Sequence, residues 1–442
     1  IHFCALSAAK GMILIMNKPE LLAPAGDMEK LIYALAYGAD AVYVGGSSYG
    51  LRAYAGNFGV EQMKEAADLV HEKKRKIYVT VNIFAHEQDF EELPAYLQEL
   101  GQVGVDAIIV SDPGIIDLAQ QIVPDLPIHL STQANSTNSF SVNYWLKQGL
   151  ERVVLARELA LTELQLIRSR VSGQLEIFIH GAMCMSYSGR CLLSNYLTGR
   201  DANRGECTQS CRWGYSLVEE KRPGQAFPIE EDRRGTYIFN SYDLCLLPYL
   251  PLLKQLRLES WKIEGRMKSL YYVASTVKVY REAIDTLWEQ GEQAFQAKLP
   301  QWLEETDKVS HRDYSSGFLF GKPGAYAHNL ENSHYVREYD FVGVSLDKQR
   351  ELQILAEQDM FPKRFPEDDS LQTVLLEQRN NFKRGEILEV LTPFGQLWNF
   401  KIEKMWNLEG EELEAARHAQ QIIKLKLARS LPPYSILRRA KS

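Results

Sequence analysis

Between residue 19 and about residue 290 the chain repeats one pattern: a short apolar run followed by a stretch of helical period. The runs are Glu20–Ala23, Ala41–Val44, Ile77–Val81, Ala107–Val110, Ile128–Leu130, Arg152–Leu155, Leu175–Ile179 and Ser260–Ile263. Amphipathic segments such as Asp27–Tyr37, Val60–Lys74 and Glu92–Val103 separate them. Short buried strands that alternate with helices predict a parallel sheet, and eight such units predict an α/β fold of the TIM-like (β/α)8 barrel type. A doubly wound open sheet is the rival. It would carry a glycine-rich dinucleotide turn after its first strand, which Ala23-Pro24-Ala25-Gly26 matches poorly.

The seventh unit is interrupted. After Leu175–Ile179 the chain breaks at His180-Gly181 and becomes rich in Gly, Ser, Asn and Arg up to Trp213. This stretch holds four of the six cysteines, Cys184, Cys191, Cys207 and Cys211. Free cysteines are usually small buried apolar side chains, but these lack the periodicity of a core-facing element. They look like a ligand set. Structural zinc favours closely spaced cysteine pairs, a form that only Cys207 and Cys211 fit. An iron–sulfur cluster takes four thiolates at varied spacing. Arg190, Arg204 and Arg212 could offset its charge. Spacing alone leaves both metals open.

Glu176-x-Phe178-x-x-Gly181-Ala182-Met183-Cys184, followed by Gly189-x-Cys191-x-Leu193-Ser194, resembles the signature of the collagenase-like peptidase family of unknown catalytic type. The resemblance runs from Glu20 to the C-terminus, through PELLAPAG (19–26), YGADAVYVGG (37–46), SDPG (111–114), HLSTQAN (129–135), NSYDL (240–244) and KIEGRMKS (262–269). GRDANRGECTQSCRW is most similar to the family's branch of prephenate-dependent tRNA uridine hydroxylases. The resemblance implies oxygen-independent formation of 5-hydroxyuridine at the wobble position of tRNA. It also implies prephenate or a derivative as co-substrate and a [4Fe–4S] cluster on Cys184, Cys191, Cys207 and Cys211, with zinc as the alternative metal. Related quinone-biosynthesis members use a cysteine near Cys245, which makes Cys245 an alternative ligand. A peptidase, or a hydroxylase of ribosomal RNA or a quinone precursor, is the alternative function. No HExxH or GxSxG motif supplies protease machinery, although Cys191 or Cys207 with His180 could in principle form a thiol nucleophile.

A barrel carries its active site at the C-terminal ends of its strands. Those ends give His180, Glu264 and Arg266 as candidate catalytic residues, and Asn82, Gln133, Asn135 and Arg157 as candidate substrate-binding residues, to which Arg52 is added as an anion-binding candidate. Arg52, Arg157 and Arg266 suit the carboxylates of prephenate, because guanidinium recognises them bidentately. Several of these groups have plainer readings: Asp112 before Pro113-Gly114 as a turn or N-cap, His180 as a satisfied core imidazole, Arg157 with Glu158 as an ion pair.

The expected organisation is an extension or disordered start at 1–16, a barrel at 17–295 with a cysteine-rich insertion at 180–235, a helical and loop linker at 296–338, and a small C-terminal β-barrel domain at 339–442. Met12 or Met16 is the expected natural start; Lys10 interrupts the apolar residues before it, unlike an export signal. The C-terminal strands are expected at Phe341–Ser345, Leu371–Leu376, Ile387–Leu391, Leu397–Ile402 and Ile422–Leu427. The last stretch carries Lys424, Lys426, Arg429, Arg438, Arg439 and Lys441, a solvated basic face or an RNA-backbone contact. The net charge of −7 argues against a chain-wide grip on nucleic acid. Few, clustered cysteines imply a reducing compartment, hence a cytoplasmic protein. No apolar run approaches the roughly 20 residues of a membrane helix. A protein partner is compatible with all of this.

Overall fold

The computed structural model describes residues 17–50, 57–184, 186–188, 190–210, 240–321, 337–346, 350, 372–395 and 397–441, with the paired strands 217–218, 226–227 and 328–329. Eight parallel strands form a closed barrel: β1 (Glu20–Pro24), β2 (Ala41–Gly45), β3 (Lys76–Val81), β4 (Ala107–Val110), β5 (Ile128–Leu130), β6 (Arg152–Val154), β7 (Gln174–Ala182) and β8 (Ser260–Ile263). Each pairs with the next, and β8 closes the ring by pairing in parallel with both β7 and β1. The eight expected strands are the eight barrel strands.

Local sequence explains why the helices start where they do. Asp27 caps α1 (Met28–Ala36) by accepting from the Lys30 amide. Asp112 caps α4 (Pro113–Ile122) through the Gly114 and Ile115 amides, so it is an N-cap residue. Outward strand residues and the inner helix faces make one large apolar core. α9 (Leu270–Glu289), capped by Ser269, is buried along most of its length against that core.

Inside the barrel, Leu22, Ala41, Tyr43, Tyr78, Ala107 and Ile109 form a separate apolar layer. Towards the N-terminal end of the strands a buried charge network fills the interior. Arg152 lies 2.6 Å from Glu20 and 3.3 Å from Glu176, and Lys262 lies 2.9 Å from Glu176. Burial works against a charged Glu176, but Lys262 and Arg152 outweigh it and hold its carboxyl down to about 2.

The C-terminal module is a seven-stranded, curled antiparallel sheet. The expected strands are present near their expected positions, with a short additional strand at Met405–Trp406 and an unexpected central one at Ile436–Ala440. Ile436–Ala440 contains Arg438, fully buried and ion-paired with Glu305 of α10 (Glu292–Asp307) and with Glu389. This corrects the reading of the terminal stretch as a basic face for Arg438 and Lys424, which are buried, while Arg429 and Lys441 are exposed. Arg439 pairs with Glu386 and Asp340, and the buried Lys424 ammonium donates to the Leu408 carbonyl.

Module and barrel are tied together. The Tyr37 hydroxyl lies 2.9 Å from both the Leu391 and the Tyr434 carbonyl, sharing its one hydrogen between them, and Lys278 on α9 donates to the Thr392 carbonyl at 3.0 Å. Among the described residues, no helix is long and apolar enough to cross a membrane.

Candidate active site at the barrel mouth

The strand ends converge on a cavity of about 130 Å³. Five of the expected residues line it: Asn82, Gln133, Arg157, Glu264 and Arg266. Cys184, Cys191 and Cys207 line it too, so the insertion after β7 folds back over the mouth. Arg52 and Cys211 lie outside the described residues.

The lining groups hold one another in place. Arg157 donates to the Ala182 carbonyl at 2.6 Å and sits 3.3 Å from the Glu264 carboxylate, with its guanidinium 3.8 Å from the centroid of the Phe178 ring. Arg266 donates to the Thr80 hydroxyl at 2.7 Å, and Thr80 passes the contact on to the Val44 carbonyl. Asn82 donates to the Gln133 side-chain oxygen at 2.5 Å. Two glycines make this crowding possible. A Cβ on Gly45 would lie 2.5 Å from an Arg266 guanidinium nitrogen. Gly181, at φ +109°, lets the Glu264 carbonyl approach within 2.4 Å of where a Cβ would stand.

Among the described residues, three cations (Arg157, Lys262 and Arg266) and one carboxylate (Glu264) line the cavity. That balance suits an anion. Lys262, Thr80, Ser131, Tyr43 and Phe178 were missed in the sequence. The usable signal was the period of two: Thr80 precedes Asn82 by two residues and Lys262 precedes Glu264 by two, which puts each pair on one face of its strand.

Three expected residues are placed elsewhere. His180 points away from the cavity. Along β7, Glu176 pairs with Ser260, Ile177 with Trp261 and Phe178 with Lys262, but the next pair is His180 with Ile263. The register therefore shifts at Ile179, and His180 joins the outward face with Ile263. Its ring packs 5.3–5.9 Å from those of Tyr272, Tyr280 and Tyr314, and burial pushes its pKa down to about 3. It is a neutral core imidazole and does not face the cysteines of the mouth. Asn135 fixes backbone, donating to the Gln133 carbonyl at 2.8 Å and the Ser188 carbonyl at 3.3 Å. Cys245 is buried in the apolar core with its sulfur 3.9 Å from the Tyr280 hydroxyl, and burial raises its thiol to about 11. It does not line the cavity.

The cysteine loop is anchored from below. Arg204 makes a two-pronged pair with Asp89, each contact 2.8 Å, which uses its charge there rather than beside the thiols. Asn203 donates to the Cys191 carbonyl at 3.3 Å, and the Phe84 amide donates to the Asn203 carbonyl at 3.2 Å. Among the described residues, no three His, Cys, Asp or Glu side chains are grouped closely enough to hold a metal ion. Cys184, Cys191 and Cys207 nonetheless share one cavity as free thiols. A donor set of soft sulfur ligands fits an iron–sulfur cluster or zinc rather than a hard cation.

Fold and site define a (β/α)8-barrel protein with a cysteine-bearing insertion over an anion-suited mouth. The peptidase family U32 model matches residues 26–329, and the peptidase family U32 C-terminal domain model matches residues 365–438. The chain belongs to peptidase family U32. It is 42% identical over 432 residues to tRNA hydroxylation protein P1 of Bacillus subtilis, covering 98% of this chain and 97% of that one. It is 36% identical to tRNA hydroxylation protein P of Escherichia coli, covering 91% and 92%. A 23S rRNA 5-hydroxycytidine synthase of Escherichia coli is 34% identical, over 71% of this chain and 47% of that one.

Proposed function

We propose that this protein hydroxylates tRNA, converting the wobble uridine to 5-hydroxyuridine with prephenate or a derivative as co-substrate. The observation that carries the reading is the joining of three cysteine thiols and three cations around one cavity at the barrel mouth. Its full-length similarity to proteins named for tRNA hydroxylation gives the substrate class. Cys184, Cys191, Cys207 and Cys211 would hold a [4Fe–4S] cluster, which supplies electron transfer when bound.

The chain's own residues have separable tasks in this reading. Arg157 and Arg266 bind carboxylate, since guanidinium offers paired donors in the plane a carboxylate needs. Lys262 and the Asn82–Gln133 pair close the cavity floor with donors. Glu264, held by Arg157, is the one carboxylate of the lining among the described residues and can accept a proton or a hydroxyl hydrogen bond from the substrate. A wobble base lies in a single-stranded loop, so it can be turned into a pocket without melting a duplex. The thiol–imidazole pair that a peptidase reading requires is not formed, because His180 faces the helices.

Anaerobic purification followed by iron, sulfide and zinc analysis tests the cofactor. Mass spectrometry of tRNA nucleosides from a strain lacking the gene tests the reaction, with loss of 5-hydroxyuridine and its derivatives as the expected result. A colourless protein with stoichiometric zinc would sink the cluster. Altered ribosomal RNA or quinone with unchanged tRNA would move the substrate to another branch of the family.

A further inference from the structure

We infer that Tyr187 and Tyr196, on the cysteine loop, form a stacking platform for unpaired bases of an RNA loop whose target base enters the cavity. This rests on the RNA-hydroxylation reading and names the surface that reading leaves unassigned.

Twelve large apolar or aromatic side chains are exposed among the described residues, and four of them fall between residues 187 and 197: Tyr187, Leu192, Tyr196 and Leu197. Isolated exposed apolar residues are ordinary, but four within one short stretch of a single loop are a local concentration of apolar surface. Tyr196 is 86% exposed and Tyr187 47%, so neither ring is a core residue of the fold. Both belong to the segment that also brings Cys184 and Cys191 to the cavity.

Charge selects the occupant. From Ala182 to Arg200 the chain contains Arg190 and Arg200 and no Asp or Glu. Tyrosine rings interleaved with arginines, without acids, suit the stacked bases and phosphates of single-stranded nucleic acid. An apolar protein ligand would gain little from the arginines. At about 130 Å³ the cavity has no room for the nucleotides that flank a target base.

The platform is also held in place. Ser194 and Thr208 hydroxyls lie 2.9 Å apart, and the Thr208 amide donates to the Ser194 hydroxyl at 3.0 Å. These bonds tie the loop to itself beside Tyr196, and the Arg204–Asp89 pair ties its later part to the segment after β3. A surface fixed before binding loses less freedom on binding.

The test uses the full-length protein and fluorescein-labelled RNA: an anticodon stem-loop, and a blunt duplex of the same stem. Anisotropy titrations compare wild type with Tyr196→Ala, Tyr196→Phe, Tyr187→Ala and Tyr187→Phe. The expected result is a loss of roughly 5- to 100-fold in stem-loop affinity for each alanine variant. The phenylalanine variants should stay within about twofold of wild type, since the stacking face is kept. Duplex binding should be the same in all five proteins. Alanine variants that bind the stem-loop like wild type, or phenylalanine variants as weak as alanine, overturn the platform while leaving RNA hydroxylation standing. A wild-type protein that ignores the stem-loop, with unchanged tRNA nucleosides in the deletion strain, overturns the function reading itself.

Discussion

One guanidinium nitrogen of Arg157 donates to the Ala182 carbonyl at 2.6 Å, while another holds the Glu264 carboxylate at 3.3 Å. The side chain thus joins the end of β6 to the start of the cysteine loop and to the segment after β8. It positions the carboxylate that lines the cavity among the described residues and stiffens the chain that carries Cys184.

Replacing Arg157 by Lys keeps a charge but cannot reproduce two directed contacts from one plane. Nucleoside mass spectrometry of a strain carrying Arg157→Lys should show 5-hydroxyuridine reduced by about 10²-fold, the scale of losing one oriented charge-assisted contact at an active site. Bound iron should be retained. Wild-type levels of the nucleoside would refute the role.

Cysteine variants should divide into two groups. Cys191→Ser and Cys207→Ser, at the cavity, should lose iron and visible absorption, as should Cys211→Ser. Cys245→Ser should retain both, because that thiol sits in the apolar core beside Tyr280. Its cost should appear instead as a stability loss of about 1–2 kcal/mol for burying a hydroxyl. Iron loss in Cys245→Ser would overturn the assignment.

Acid should destabilise the fold before its carboxylates titrate. His129 and His180 are both buried, and burial pushes each down to about 3 from an ordinary 6.5. Their folded values are below the unfolded one, so their contribution is complete above pH 6.5 and is lost as pH falls from there towards 3. At pH 5 the loss is about 2 kcal/mol for each. Urea midpoints measured between pH 7.5 and 5 should fall accordingly. His180→Phe, which keeps a ring among the tyrosines, should flatten that slope.

The C-terminal module should not be removable without damage. Truncation before residue 339 would strip Glu305 of Arg438 and Tyr37 of both its carbonyl acceptors. Breaking a buried ion pair from one side costs about 3–5 kcal/mol. Arg438→Ala should lower the melting temperature clearly, and the truncated chain should be aggregated or partly unfolded by circular dichroism and gel filtration. A well-folded, iron-binding barrel from residues 17–338 would show the two parts to be independent.

The barrel was legible because each of its strands is a short apolar run bounded by turn residues, which is a local property. The C-terminal ends of those runs also gave Asn82 and Glu264, and the cluster of cysteines marked the loop that covers them. Other features depended on contacts between distant segments. The shift at Ile179 exists only in the pairing of β7 with β8, so the sequence alternation Glu176, Phe178, His180 pointed the imidazole inward while the structure points it outward. Arg438 looked like surface charge because its partners Glu305 and Glu389 are 133 and 49 residues away, and only their approach makes its burial tolerable. Local sequence fixed which residues form strands and helices, since hydrophobic period and capping act within a few residues. Tertiary structure decided which way His180 faces, why Cys245 does not line the cavity with Cys184, Cys191 and Cys207, and how the C-terminal sheet is bound, because register, burial and ion pairing arise only when separate segments meet.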